Sequence, residues 1–229
     1  MAIFAISDLH LSGAQPKPMH IFGDNWENHW DKIKIDWHEK VTQDDIVMVP
    51  GDLSWAMHMS DAKIDIDSIC EMPGKKIILR GNHDYWWSSI SRVRNMLHNE
   101  TYAIQNDCVV IDHYCFAGTR GWVCPNDRGV LPEDEKIYLR EVGRLKLSLE
   151  QAVKHDAEEI IVMLHYPPFN ENQEPSGFTE LIEAHNIKTV VYGHLHDASA
   201  RRSFNGEING TKYLNVSCDF LDFKLIKIR

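Results

Sequence analysis

Five short polar blocks of this chain carry residues that could do chemistry: Ser7-Asp8-Leu9-His10, Gly51-Asp52, Gly81-Asn82-His83-Asp84, His165 and Gly193-His194-Leu195-His196. Asp8, His10, Asp52, Asn82, His165, His194 and His196 form a mixed oxygen and imidazole set without a thiolate, which suits Mn, Fe, Zn or Co better than a soft metal. Carboxylates supply the negative charge that holds two divalent ions side by side, and one of them can bridge the pair. Two ions about 3.5–4 Å apart clamp the attacking and leaving oxygens of an in-line displacement and lower the pKa of bound water. Phosphoester hydrolysis is the natural chemistry of such a set. Singly, each block has a plain reading: Asp8 as a helix cap, His165 before Tyr166-Pro167-Pro168 as a loop histidine, Gly193-His194 as a turn. It is their joint occurrence that points to a site.

Each block follows an apolar run. Ala2 to Ile6, Ile46 to Val49, Lys76 to Leu79, Ile160 to Leu164 and Thr189 to Tyr192 are short, rich in Ile, Val and Leu, and bounded by Gly, Pro or charged residues, the pattern of buried strands in an α/β sheet. Ligands of open α/β sheets gather beyond the carboxyl ends of the strands, so the five loops are expected to converge on one edge.

In order and completeness the blocks resemble those of the calcineurin-like metallophosphoesterase superfamily, written D-x-H, G-D, G-N-H-D/E, H and G-H-x-H. The resemblance spans residues 1 to about 220. It implies a four-layer α/β/β/α sandwich of two mixed β-sheets flanked by helices, formed by residues 1–229 as one domain. It implies two divalent metal ions, the first held by Asp8, His10, Asp52 and His196, the second by Asp52, Asn82, His165 and His194, with Asp52 as the bridge. His83 then donates a proton to the leaving oxygen, and Asp84 orients its ring. The last assignment has its own physical sense, since an imidazole beside two cations resists protonation unless a carboxylate supports it. Family members act on phosphoproteins, cyclic nucleotides, lipid-linked nucleotides and nucleic acids. Small size points to a small-molecule phosphate ester as the partner of this chain. The alternatives are a nucleotide or nucleic-acid phosphodiesterase and a non-catalytic binding scaffold, the latter at odds with a complete ligand set.

At 229 residues the chain can bury a large core. Its formal net charge of −10 disfavours nucleic acid, because the basic stretches Lys75-Lys76, Arg140 to Lys146 and Arg201-Arg202 are short and interrupted. No run approaches the roughly 18 apolar residues of a membrane span. Cys70, Cys108, Cys115, Cys124 and Cys218 are odd in number and lack C-x-x-C spacing, which reads as reduced thiols and a cytoplasmic location.

The remaining elements follow from periodicity. Trp26, Trp30, Ile33 and Trp37 predict a core-facing stripe on a helix from Asn25 to Lys40. Helices are also predicted over Asp61 to Cys70, over Tyr85 to Leu97 with its positive end toward the phosphate site, over Glu133 to Lys154 and over Gly177 to His185. Val109 to Ile111 and Tyr114 to Ala117 read as a hairpin, Ala200 to Phe204 and Lys212 to Val216 as a second one around Asn205-Gly206, and Phe223 to Ile228 as a final strand. Gly118 to Pro132 is a Gly- and Pro-rich loop expected over the active face, where Arg120 is placed to grip a substrate phosphate with its two-pronged fork. Trp55, Trp86, Trp87 and Trp122 lie beside the blocks, either as a pocket mouth or as packing, and His58 is a candidate for the same mouth.

Overall fold

The five apolar runs become the parallel cores of two sheets in the computed structural model, which describes residues 1–126 and 129–229. In the first sheet β1 (Ile3–Ala5), β2 (Ile46–Pro50), β3 (Lys75–Leu79) and β4 (Thr101–Ile104) run parallel, and β11 (Ile226–Lys227) lies antiparallel against β1. In the second, β6 (Tyr114–Thr119), β7 (Glu159–Leu164), β8 (Thr189–Tyr192) and β10 (Thr211–Asn215) run parallel, edged by antiparallel β5 (Cys108–Ile111) and β9 (Gly206–Ile208). The strand orders are β11-β1-β2-β3-β4 and β5-β6-β7-β8-β10-β9.

Alternation along the strands builds the layers. Ile3, Ala5, Ile46, Met48, Ile77 and Leu79 face Phe116, Ile161, Met163 and Val191 of the other sheet in one buried cluster. Their neighbours Phe4, Ile6, Val47, Val49 and Ile78 point the opposite way, onto Ile33 and Trp37 of α1 (His29–Lys40) and Ile66 and Ile69 of α2 (Met59–Cys70). On the far side Val162, Leu164, Val190 and Tyr192 pack against Leu145 and Leu149 of α4 (Pro132–Ala152) and Phe178 and Ile182 of α5 (Gly177–Ala184). Both faces of each sheet are thus buried, as the continuous Ile/Val/Leu runs require. The α/β/β/α sandwich expected from the sequence is what forms.

Several elements differ from the sequence expectation. The helix expected from Asn25 starts only at His29, because Asn28 takes a left-handed conformation (φ 52°) and leaves Trp26 on a separate 3₁₀ turn, Asp24–Trp26. The helix expected over Tyr85 to Leu97 shrinks to α3 (Ile90–Arg94). Trp86 and Trp87 instead bury their rings, donating indole N–H to Asp84 at 3.0 Å and to Gln105 at 2.9 Å, and Ser89 is extended. The helix of that segment therefore begins at Ile90 and not directly after the His83 block. Ala200 to Phe204 is not a strand: α6 (Asp197–Arg201) occupies its start, and β10 pairs with β9 across Asn209-Gly210. That turn has positive φ at both residues (51° and 77°), matching the right-handed strand twist. Strand β4 is an addition that the sequence pattern does not announce. Of the loop Gly118 to Pro132, Asp127 and Arg128 lie outside the described residues.

Candidate metal centre

The loops after β1, β2, β3, β7 and β8 carry the five blocks, and they meet at one edge. Two groups of ligand atoms cluster there, Asp8 with His10 and His196, and Asp8 with Asp52 and His165, each group lying within 4.8 Å. Asp52 Oδ2 stands 3.7 Å from His10 Nε2 on one side and 3.5 Å from His165 Nε2 on the other. Asn82 Oδ1 lies 2.6 Å from His165 Nε2 and 2.9 Å from His194 Nδ1. The sequence-predicted ligands are therefore brought together, with one difference. Asp8 belongs to both groups, so two carboxylates, Asp8 and Asp52, lie between the histidines.

The backbone that achieves this is strained. Asp8, His10, Asp52 and His194 all have positive φ (60°, 46°, 52° and 73°), a conformation that non-glycine residues hold only where the surroundings enforce it. Gly81 and Gly193 permit the close approach. A Cβ on Gly81 would collide with Asp52 Oδ1, and one on Gly193 with Ser7 Oγ and Asp8 Oδ2. Ser7 Oγ and the backbone N–H of His194 donate to Asp8, and the N–H of His83 donates to Asp52 Oδ1 at 2.8 Å.

Two of the imidazoles have one ring nitrogen fixed by a protein acceptor. His165 Nδ1 is tied to the Pro50 carbonyl at 3.0 Å, which turns Nε2 inward, and His196 Nδ1 is tied to Asp219 at 2.9 Å, which turns Nε2 toward Asp8 at 3.7 Å. A metal-ligating histidine commonly donates its other ring N–H to a carbonyl or carboxylate in this way. Among the described residues His10 Nδ1 is buried with no hydrogen-bond partner. Burial holds His10 well below the usual histidine range, His165 at about 3 and His194 at about 4, so these rings are neutral near pH 7, as coordination demands. Burial also opposes charge on His196, but the Asp219 hydrogen bond and the Asp8 charge outweigh it and raise that ring. Asp52 is raised well above the usual carboxylate range by burial and by the charges of Asp84 and Asp8. The concentration of buried carboxylate here fits divalent cations.

Asp84 does not orient the His83 ring. Its Oδ2 accepts from the backbone N–H of Gly81 at 2.7 Å and Asp52 at 2.9 Å, while Oδ1 accepts from Leu53, Ser54 and the Trp86 indole. It is a clamp that fixes the Asp52 and Asn82 loops to each other. His83 Nδ1 is buried without a hydrogen-bond partner among the described residues, and the ring packs on Trp55 at 4.5 Å between centroids. Burial lowers the His83 pKa, opposed by Asp8 rather than by Asp84.

Arg120 is engaged elsewhere as well. Its guanidinium lies 3.3 Å from buried Glu141 and 4.4 Å over the Trp122 ring, while its carbonyl accepts from the N–H groups of His165 and Tyr166. It positions the His165 segment through its backbone. His58 is exposed at the start of α2. Sequence reasoning missed Asp219, although it follows the apolar run of β10 in the manner of the other blocks. Trp26 falls in a helix stripe by its spacing, yet it packs 5.7 Å from the His196 ring and 6.1 Å from that of His10.

The two-sheet fold gathers this cluster of candidate metal ligands at one edge, and comparison with known proteins bears on both fold and family. Two solved structures of similar fold are a protein of unknown function, AQ665, from Aquifex aeolicus (16% identity, 99% of this chain and 95% of that one, TM-score 0.51) and TT1561 of Thermus thermophilus (16%, 98% and 96%, TM-score 0.55). No curated protein matches the chain. The family model of the calcineurin-like phosphoesterases matches residues 1–198, and the chain belongs to that family.

Proposed function

We propose that the chain hydrolyses a phosphate ester of a small molecule with two divalent ions, one at Asp8, His10, Asp52 and His196 and the other at Asp52, Asn82, His165 and His194. The observation that carries this reading is the orientation of His165 and His196, whose outer nitrogens are tied to Pro50 and Asp219 so that the inner ones face shared carboxylates. Bound divalent ions supply a water of lowered pKa and a Lewis acid for the phosphoryl oxygens.

The chain's own residues do the rest. With Nδ1 of His83 buried, Nε2 is the nitrogen left to a ligand, and its proton passes to the ester oxygen as the phosphorus–oxygen bond breaks and water oxygen takes its place. Asp8 favours the charged ring against burial. Asp84 and Arg120 hold the ligand loops rather than the substrate. Among the described residues no helix is long and apolar enough to cross a membrane, and the five cysteines are unpaired, in keeping with a reducing compartment. The net charge of −10 supports a small ester over a polynucleotide.

The test is metal-stripped protein with Mn, Zn, Fe, Co or Mg added back, assayed on p-nitrophenyl phosphate, bis-p-nitrophenyl phosphate and single-stranded DNA. Metal-dependent release of p-nitrophenolate is expected. DNA cleavage without turnover of either small ester would favour the nuclease reading, and no turnover with any metal would favour the scaffold.

A further inference from the structure

Two apolar cavities border the metal cluster, and they share no lining residue. The first, about 230 Å³, is walled by Met19, Phe22, Trp26 and Trp55 and reaches His83 along with His10 and His196. The second, about 300 Å³, is walled by Val123, Tyr166, Phe169, Leu195 and Phe204 and reaches His194. The Tyr166 ring lies 3.9 Å from the His194 ring, so the second cavity begins directly behind a ligand of the second metal position. The first begins at the proton donor. Pockets for drug-sized ligands run about 300–1,000 Å³, so the first cavity falls below that range and the second at its lower limit, and each has room for a ring-sized group.

A monoester offers one organic group and a dianionic phosphoryl head, which calls for one cavity and a set of cations. Among the described residues the charged groups at the first cavity include Asp197, and those at the second include Glu171 and Arg202. Arg120 is bound to Glu141 and stacked on Trp122, and Lys17 lies 4.1 Å over the Trp55 ring. A diester carries a single negative charge and two organic groups, and it matches two separate cavities, one reaching His10, His83 and His196 and the other reaching His194.

We infer that the substrate is a phosphodiester with two apolar or aromatic substituents, the leaving one seated among Phe22, Trp26 and Trp55 and the retained one among Tyr166, Phe169 and Phe204. The inference rests on the phosphoesterase reading above and adds the substrate class to it. The orientation follows from His83, the proposed donor to the leaving oxygen, which lines the first of the two cavities and not the second.

The experiment compares three esters with one leaving group, p-nitrophenyl phosphate, methyl p-nitrophenyl phosphate and phenyl p-nitrophenyl phosphate, on the manganese-loaded full chain. The phenyl diester is expected to exceed the methyl diester in kcat/KM by about tenfold or more, the worth of burying a ring, and to exceed the monoester. Val123 is 48% exposed and Phe22 is 50% exposed, so both sites tolerate substitution. Val123→Trp, which fills the second cavity, should collapse the phenyl-to-methyl ratio, whereas Phe22→Ala should lower kcat/KM for both diesters in equal proportion. A flat ratio in the parent protein, a preference for the monoester, or a ratio that responds to Phe22→Ala and not to Val123→Trp overturns the inference while leaving hydrolysis itself intact. Absence of metal-dependent turnover on all three esters overturns the phosphoesterase reading, and this inference with it.

Discussion

Replacing Asp84 by Asn separates a structural clamp from a catalytic partner. In the native site Oδ1 accepts from Leu53 N–H, Ser54 N–H and the Trp86 indole, and Oδ2 accepts from Asp52 N–H and Gly81 N–H. Asparagine keeps most acceptors by placing its carbonyl oxygen at Oδ1, which turns its NH₂ onto two N–H groups that then face a donor. Two hydrogen bonds to a charged group, at about 1.5–3 kcal/mol each, are lost, a cost of about 3–6 kcal/mol. The lower end is expected, because removing the Asp84 charge relieves buried Asp52, whose pKa burial and then Asp84 raise. For a chain of this length each kcal/mol shifts Tm by about 2–4 °C, so D84N should melt about 6 °C or more below the parent. Circular dichroism melts of the metal-stripped protein read this directly, with kcat on a p-nitrophenyl diester measured in parallel at low temperature. A Tm within about 2 °C of the parent together with a kcat loss of about 100-fold would refute the clamp and restore Asp84 as the partner of His83.

Three further outcomes follow. His83→Ala should retain metal yet lose about 10²–10⁴ in kcat on alkyl esters, with a smaller loss on p-nitrophenyl esters, whose leaving group needs no proton; loss of metal in dialysis would contradict its role as proton donor. Asp219→Ala frees the His196 ring and should weaken Mn binding about 10–100-fold by isothermal titration; unchanged affinity would show that His196 needs no support. Asp45 accepts from Ala2 N–H and from Thr42 N–H and Oγ1, which hold its carboxyl below the usual range although burial opposes them. A depressed folded value contributes stability that is present above the unfolded pKa and lost as pH falls through the folded one. The Tm gap between the parent and Asp45→Asn should therefore be constant near neutrality and close below about pH 3.9; a gap that widens in acid would contradict the assignment.

Much of this molecule is legible from its sequence because two periodicities coincide. Strands buried on both faces read as continuous Ile/Val/Leu runs, and polar residues just past them, Asp8, Asp52, Asn82 and His194 among them, fall at the carboxyl edge where the sheets gather ligands. What the pattern does not carry is which neighbour uses a side chain. Asp84 and His83 are adjacent in sequence, yet a tight turn, with Tyr85 N–H on the His83 carbonyl, sends the carboxylate toward four backbone N–H groups. Apolar spacing continues a helix through Asn28 and Trp86, while a left-handed residue and two buried indoles stop it. The residue type of Arg120 suits phosphate, but Glu141, 21 positions on and fully buried, takes its fork. Such choices depend on contacts between distant segments, which local propensity does not encode.

On the proposed assignment Asp52 joins two metal positions into one cluster, its Oδ2 lying 3.7 Å from His10 Nε2 and 3.5 Å from His165 Nε2. Metal content by inductively coupled plasma mass spectrometry, after reconstitution with Mn and removal of free ion, tests it on the parent protein and on Asp52→Asn. Two ions per chain are expected in the parent and at most one in D52N, with hydrolysis lost; a parent that binds none, or a D52N variant that keeps two, would overturn the bridging role of Asp52.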